Sequence, residues 1–155
     1  MKNLYLKGLS IFLIFVLIIF TNCSLKKDTM KKIIYTKNAP EPIGPYSQAV
    51  EYNGIVYVSG QIAIDPSTSQ LYSGDDIQME TRQVMENLQA IITTAGFELK
   101  NVIKCSIFLK DMNDFNEVNK VYAEYFPEFS PARETVAVAG LPKGARVEIS
   151  AVVGK

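Results

Sequence analysis

Arg133 is the residue whose type and position most directly suggest binding chemistry in this sequence. It follows Ser130-Pro131-Ala132 and directly precedes a stretch that reads as a buried strand, where an unpaired charge would be costly. The guanidinium therefore needs an anionic partner. Arginine suits a carboxylate better than lysine does, because it can donate two parallel N–H···O bonds.

Glu148 is one candidate for that partner, because it projects from the face opposite its apolar neighbours Val147 and Ile149. An ordinary surface ion pair between neighbouring strands would explain Arg133 and Glu148 without any function, and composition alone favours it. In the functional interpretation, Arg133 binds the carboxylate of a substrate. Both interpretations remain open at this point.

The chain contains no histidine, the side chain that most often acts as a general base near neutral pH and as a transition-metal ligand. Acid-base chemistry must therefore use other side chains or bound water. The two cysteines, Cys23 and Cys105, are too few and too far apart for a zinc site or a redox motif. Cys105 lies in an apolar run that is typical of a packed thiol. We expect no metal site.

The charge balance and the glycine positions argue against two further classes of function. Neither common glycine-rich phosphate loop is present, so the sequence predicts no nucleotide cofactor. Lys plus Arg and Asp plus Glu number 16 each, which disfavours polyanion binding.

Gly60, in Ser59-Gly60-Gln61, interrupts an apolar strand and marks either a simple bulge or a close approach of ligand or backbone.

Hydrophobic periodicity predicts six strands that could position these residues. The clearest signal is Asn53-Gly54, which lies between two apolar runs and predicts a tight hairpin. The predicted strands span residues 33–36, 47–52, 55–64, 102–109, 135–139 and 145–153. The last two are joined through the turn at 140–144.

Two amphipathic helices are predicted. The first spans 75–95, with Gly96 placed as its C-terminal cap, and the second spans 113–126, where Asp114 and Glu117 form a capping signal. The order of elements predicts a single α+β domain with both helices on one face of the sheet. We assign this domain to residues 30–155.

Residues 1–29 read as a targeting segment rather than as part of the fold. Lys2 and Lys7 precede an apolar run at 9–20, which has the layout of a secretory signal peptide and is short for a bilayer span. After Thr21 and Asn22 comes Cys23, which resembles the lipidated cysteine of a bacterial lipoprotein. We therefore expect an exported, membrane-anchored protein, or a cytoplasmic one if translation starts at Met30.

Six segments of the chain resemble the signature segments of the RidA (YjgF) family. They occur in the family's order and span the chain from Lys31 to its C-terminus. The segments are Asn-Ala-Pro at 38–40, Ile-Gly-Pro-Tyr-Ser-Gln-Ala at 43–49, Val-Ser-Gly-Gln-Ile at 58–62, Phe-Leu-Lys-Asp-Met-Asn-Asp-Phe at 108–115, Pro-Ala-Arg at 131–133 and Leu-Pro-Lys-Gly-Ala-Arg-Val-Glu-Ile at 141–149.

The resemblance implies a chorismate-mutase-like domain with a mixed sheet, and a homotrimer in which the sheets form a central barrel with three clefts between subunits. It also implies cofactor-free hydrolysis of 2-imino acids, such as 2-iminobutanoate and 2-iminopropanoate, to 2-keto acids and ammonia. Such a substrate is already electrophilic, so a site has mainly to orient it and deliver water. A chain without histidine can do this.

By position, the resemblance makes Arg133 the carboxylate-binding residue and Glu148 the residue that positions water. Tyr46, Gly60 and Asn119 match residues that line the cleft. The sequence departs from many members at two places, since it has Glu134-Thr135 where they have Ser-Cys or Ser-Thr after the arginine, and it has Ser150 near the C-terminus. Thr135 keeps a hydroxyl at the pocket, Glu134 adds a charge next to Arg133, and Ser150 stands where a glutamate is common.

Two other functions compete with the deaminase. A non-catalytic trimer could use the same clefts to bind small carboxylates or act as a chaperone-like holdase, but it would not need the water-positioning Glu148. A membrane-tethered structural lipoprotein would explain the first 30 residues but not the cleft residues.

Overall fold

The computed structural model describes residues 30–154, which form six strands and two α-helices in the predicted order. The predicted targeting segment, with Cys23, lies outside the described residues. The strands are β1 (Lys32–Ile34), β2 (Ala49–Tyr52), β3 (Ile55–Gln61), β4 (Val102–Leu109), β5 (Ala132–Ala137) and β6 (Val147–Gly154). The helices are α1 (Ile77–Thr94) and α2 (Phe115–Tyr125).

The six strands form one mixed sheet in the order β1-β2-β3-β6-β4-β5. β4 and β5 run parallel, and the other neighbouring pairs are antiparallel. The chain connects β5 to β6 through the turn at 140–144, yet β4 lies between them in the sheet. β5 is therefore an edge strand, and Arg133 and Glu148 do not lie on neighbouring strands.

The hairpin between β2 and β3 turns at Asn53 and Gly54, as predicted. Both residues have positive φ, 54° and 78°, the conformation that a tight two-residue hairpin requires. The turn fixes the register in which Val50 faces Tyr57 and Ala49 faces Val58.

Helix α1 is confirmed, with Asp76 as its N-cap and Gly96 in the left-handed conformation after its last turn. The capping prediction for α2 is wrong. Asp114 itself has helical dihedral angles and makes no capping hydrogen bond, because a 3-10 turn at Met112–Asp114 precedes the helix and is capped by Asp111. The carboxylate of Glu117 instead accepts hydrogen bonds from Gln78 and Lys120.

Both helices pack on one face of the sheet and enclose the core. Val147, Ile149 and Ala151 of β6 are buried on this face, as the alternation in their strand predicts. Cys105 of β4 is fully buried beside them, and burial raises the pKa of its thiol. The prediction of a packed thiol is confirmed.

The opposite face of the sheet carries no helix of the described chain, yet it bears a row of apolar side chains. Ile33, Val50, Tyr57 and Val152 are paired in register across β1, β2, β3 and β6. Ile33 and Tyr57 are 64% and 51% exposed. A continuous exposed apolar surface of this kind typically marks a protein–protein interface.

Within residues 30–154, neither helix has the length and apolar character needed to cross a bilayer.

Candidate active site

Glu148 lies in a cleft of about 250 Å³ beside the bulge in β3. Tyr46 and Gly60, two residues predicted to line a cleft, are here with it. The carboxylate is half-buried, and this burial raises the pKa of Glu148 above its usual value. Desolvation favours the neutral acid, so the carboxyl group loses its proton at higher pH than the carboxyl group of a surface glutamate does.

Gly60 is the residue that makes room for Glu148. A methyl group at position 60 would lie 1.9 Å from Oε1 of Glu148, far inside any real contact distance. The register between β3 and β6 also shifts between Val58 and Gln61, so Gly60 lies within a bulge. The two interpretations of this glycine, bulge and close approach, therefore both apply.

The loop before β2 forms the other wall of this cleft, and the buried Gln48 holds it in place. The Gln48 amide accepts a hydrogen bond from the Thr36 backbone N–H at 2.7 Å and donates to the carbonyl oxygens of Thr36, Ala39 and Pro40. A proline-rich segment has few backbone donors of its own, so a buried amide compensates. Tyr46 follows this segment, and its hydroxyl accepts a hydrogen bond from the Ile43 backbone N–H.

Arg133 lies in a second cleft, together with Asn119 and Tyr122 of α2. Its Nη1 donates a 2.7 Å hydrogen bond to Oδ1 of Asn119. The guanidinium carbon lies 5.0 Å from the centre of the Tyr122 ring and 5.9 Å from that of Phe115. Two aromatic faces and one amide therefore hold the guanidinium in place while the side chain stays exposed.

The two residues after Arg133 point in different directions. Glu134 lies on the helix-free face, where its carboxylate accepts a 2.5 Å hydrogen bond from Ser106 and pairs with Lys104 at 2.7 Å. Its charge is thus directed away from the guanidinium. Thr135 lies opposite the buried Ile107, and its Oγ1 is buried without a hydrogen-bond partner among the described residues. Thr135 is not among the residues that line the Arg133 cleft.

Arg133 and Glu148 project from opposite faces of the sheet. In the register of the strands, Arg133 lies opposite Cys105 and Glu148 lies opposite Phe108. Cys105 and Phe108 are an odd number of residues apart on β4, so their side chains project from opposite faces of the sheet. The residues paired with them, Arg133 and Glu148, therefore do the same. The alternative of an ordinary ion pair between Arg133 and Glu148 within one chain is therefore wrong. The expectation that Arg133 precedes a buried strand is also wrong, because β5 is largely exposed in the single chain.

Sequence reasoning did not single out Glu41, Tyr122 or Phe115 as residues near these clefts. Tyr122 lies one helical turn after Asn119, so the spacing alone could have placed it beside the same ligand. Glu41 lies in a loop without periodicity, and the sequence offered no signal for it. Across residues 30–154, the Cys, Asp and Glu side chains form no group of three or more that could hold a metal ion.

Comparisons with known proteins agree with this architecture. The family model described as endoribonuclease L-PSP matches residues 36–154. A RutC family protein of Pyrococcus horikoshii is 52% identical over 126 residues, covering 81% of this chain and 99% of the relative. The human 2-iminobutanoate/2-iminopropanoate deaminase is 47% identical over 123 residues, covering 79% of this chain and 89% of the relative.

A solved structure shows the same fold. The crystal structure of the YjgF gene product of E. coli superposes with a TM-score of 0.76 at 38% identity, covering 80% of this chain and 98% of the other. Together with the match over residues 36–154, this confirms the resemblance that the sequence motifs indicate. The chain belongs to the endoribonuclease L-PSP family, whose RidA (YjgF) members its signature segments resemble.

Proposed function

We propose that this protein hydrolyses 2-imino acids, among them 2-iminobutanoate and 2-iminopropanoate, to 2-keto acids and ammonia. The observation that carries the proposal is the Glu148 carboxylate, which is half-buried over Gly60 in a cleft that contains no basic residue of the described chain. A carboxylate placed this way is suited to accept a proton from water. The name of the human relative, a 2-iminobutanoate/2-iminopropanoate deaminase, supports this chemistry.

The active site in this proposal is shared between two copies of the chain in a homotrimer. Arg133 and Glu148 lie in separate clefts on opposite faces of the sheet, so one copy cannot bring them to the same substrate. The exposed apolar row that includes Ile33 and Tyr57 gives neighbouring sheets a surface on which to pack. Packing of three copies would place the Arg133 cleft of one against the Glu148 cleft of the next.

The roles of the two residues follow from their chemistry. Arg133 would bind the substrate carboxylate and present the imine carbon to the neighbouring cleft. Glu148 would accept a proton from a water molecule as the water oxygen bonds to that carbon and the C=N electron pair moves to nitrogen. Return of that proton to nitrogen would give a carbinolamine. Transfer of its hydroxyl proton to nitrogen, with cleavage of the C–N bond, would then release ammonia and leave the keto oxygen. Each turnover consumes one water molecule.

Cleavage of RNA is not part of this proposal, although the family's description contains the word endoribonuclease. The chain has no histidine to act as an acid or base near neutral pH, and its charges balance at 16 of each sign. The Glu148 cleft is lined by two carboxylates, Glu41 and Glu148, which would repel a phosphodiester.

The test is release of ammonia from 2-iminobutanoate generated in the assay by a pyridoxal-phosphate dehydratase. We expect the purified protein to accelerate release well above the spontaneous rate and to be trimeric by light scattering. A trimer that binds small carboxylates without accelerating release would establish the non-catalytic binding protein instead. A monomer with full activity would contradict the shared site.

We further propose that residues 1–29 direct export and that Cys23 is lipidated. The proposal rests on the order of basic residues, apolar run and cysteine in the sequence. Fractionation of the native host decides it. We expect the protein in the membrane fraction and a Cys23→Ala variant outside it, whereas a cytosolic protein that begins at Met30 would establish a downstream start.

A further inference from the structure

Glu41 lies on the wall of the Glu148 cleft and has a defined position. The hydroxyl of Tyr35 donates a hydrogen bond to Oε1 of Glu41. Tyr35 directly follows β1. Glu41 lies in the loop whose carbonyl oxygens accept hydrogen bonds from the Gln48 side chain. A surface glutamate would otherwise be free to turn into solvent. The tyrosine instead keeps its charge at the cleft.

The two clefts carry opposite charges. Among the described residues, the lining of the Glu148 cleft includes two carboxylates, Glu41 and Glu148, and neither lysine nor arginine. The lining of the other cleft includes Arg133 and no acidic residue. A substrate whose own carboxylate is bound by Arg133 must therefore place the rest of its atoms in negatively charged surroundings.

The remaining lining of the Glu148 cleft is mostly apolar. Such a surface favours aliphatic substrate groups and offers a carboxylate few hydrogen-bond donors. The apolar side chains that line it are those of Pro40, Ile43, Ile62, Ile64 and Pro142.

We propose that Glu41 is a specificity-determining residue that excludes 2-imino acids with a carboxylate on the side chain and leaves those with a neutral aliphatic side chain unaffected. This inference rests on the proposed function, since it concerns selection among substrates of the same site. Tyr35 is the positioning residue that holds Glu41 for this task.

Two imines of matched shape test the proposal. The imine derived from leucine and the imine derived from aspartate have branched side chains of similar size, and the second carries a charge. Both can be generated in the assay by amino-acid oxidases. We expect the parent protein to favour the leucine-derived imine in kcat/KM by about tenfold or more, because like charges in a binding site are strongly disfavoured.

Three variants separate the charge of Glu41 from its position. Glu41→Gln should narrow the preference by about two- to fivefold, since Glu41 is exposed and partly screened by solvent. Glu41→Lys should narrow it further. Tyr35→Phe keeps the charge but releases the carboxylate, so it should narrow the preference less than Glu41→Gln does. The readout in each variant is the ratio of kcat/KM for the two imines, which a loss of activity common to both substrates leaves unchanged.

Ionic strength provides a measurement that a purely structural role would not affect. Added salt should weaken the preference of the parent protein and have less effect on Glu41→Gln, because part of the repulsion has been removed. An unchanged preference in both Glu41 variants would overturn the inference. If the parent hydrolyses neither imine nor 2-iminobutanoate, the proposed function fails first. If it hydrolyses both matched imines equally well, the function stands and the role of Glu41 is excluded.

Discussion

Gly60 and Glu148 are in such close contact that the space for a Cβ atom at residue 60 is occupied by the glutamate side chain. An added methyl group would lie 1.9 Å from Oε1 and 2.7 Å from the carboxyl carbon of Glu148. The backbone of Gly60 does not adopt the positive φ that requires glycine elsewhere in the chain. The restriction at position 60 therefore comes from the carboxylate and not from backbone strain.

Gly60→Ala should displace the Glu148 carboxylate while leaving the fold intact, because the atoms in the way belong to a flexible side chain. A misplaced general base loses much of its effect, which is worth about 10²–10⁴-fold in rate. We expect kcat to fall toward that of Glu148→Gln, with little change in melting temperature. Steady-state kinetics and thermal unfolding of both variants check this, and full activity of Gly60→Ala would show that the carboxylate position is unimportant.

The pH dependence of activity should reflect the raised pKa of Glu148. Only the ionised carboxylate can accept a proton from water, so kcat should fall on acidification at a higher pH than for an ordinary glutamate. In Glu148→Gln this fall of kcat on acidification should be absent. If Arg133 and Glu148 share a site, the guanidinium would offset part of this rise in pKa, so Arg133→Ala should move the fall in kcat to still higher pH.

The same pKa shift has a consequence for stability whose sign is opposite to that of an ion-paired carboxylate. Because the folded-state pKa of Glu148 is raised, the charged form costs free energy above that pKa, and the cost disappears below the unfolded value near 4.5. Glu148→Gln should therefore melt no lower than the parent at neutral pH. A large loss of stability in this variant would indicate an ion pair that the single chain does not contain.

Arg133 should be the residue on which substrate binding depends most. Hydrogen bonds to charged groups contribute about 1.5–3 kcal/mol, so Arg133→Ala should lower kcat/KM by about ten- to a hundredfold or more. Arg133→Lys keeps the charge but loses the two parallel donors, so only part of the loss should be recovered. Both variants must remain trimeric with an unchanged melting profile. Parent-like hydrolysis by a folded Arg133→Ala trimer would show that Arg133 does not bind the substrate carboxylate.

Tyr122 should act on the substrate through Arg133. The aromatic ring lies 5.0 Å from the guanidinium carbon, so Tyr122→Phe, which keeps the ring, should bind substrate nearly as the parent does. Tyr122→Leu loses the ring, and we expect KM to rise by about two- to thirtyfold while kcat changes less. Tyr122 is also buried, so thermal unfolding of both variants is the control for packing.

Local features of the fold could be predicted because neighbouring residues determine them. Asn53-Gly54 specifies its own turn, and the stripe of apolar residues in Ile77–Thr94 specifies a helix whatever surrounds it. The prediction of the α2 cap was wrong although it also rested on neighbouring residues. Asp114 belongs to a 3-10 turn that precedes the helix, and the spacing of residues does not indicate this turn.

The relation between Arg133 and Glu148 could not be predicted, because it depends on which strand lies between theirs. The short turn at 140–144 suggests adjacent strands, but β4 pairs with both β5 and β6 and separates them. Resemblance to the family's signature segments singled out both residues without any knowledge of the strand order. Neither sequence patterns nor family resemblance identified Glu41. Its position depends on a hydrogen bond from Tyr35 and on a loop without periodicity.

A mixing experiment tests whether Arg133 and Glu148 act across two chains. Arg133→Ala and Glu148→Gln should each be nearly inactive alone, because every site in either homotrimer lacks one of the two residues. If each site takes Arg133 from one chain and Glu148 from the next, a trimer containing both variants has some sites with both residues intact. With equal amounts and random assembly, about one quarter of all sites should be intact.

We therefore expect activity to approach a quarter of the parent value after the two variants are unfolded together and refolded, and to stay near zero when they are mixed without subunit exchange. The double variant, mixed with the parent in the same way, serves as the control for assembly. If one chain supplied both residues to the same site, no combination of the two single variants could restore a complete site. Absence of recovery, with heterotrimers confirmed by mass spectrometry, would therefore exclude the shared arrangement that we propose from the opposite orientations of Arg133 and Glu148.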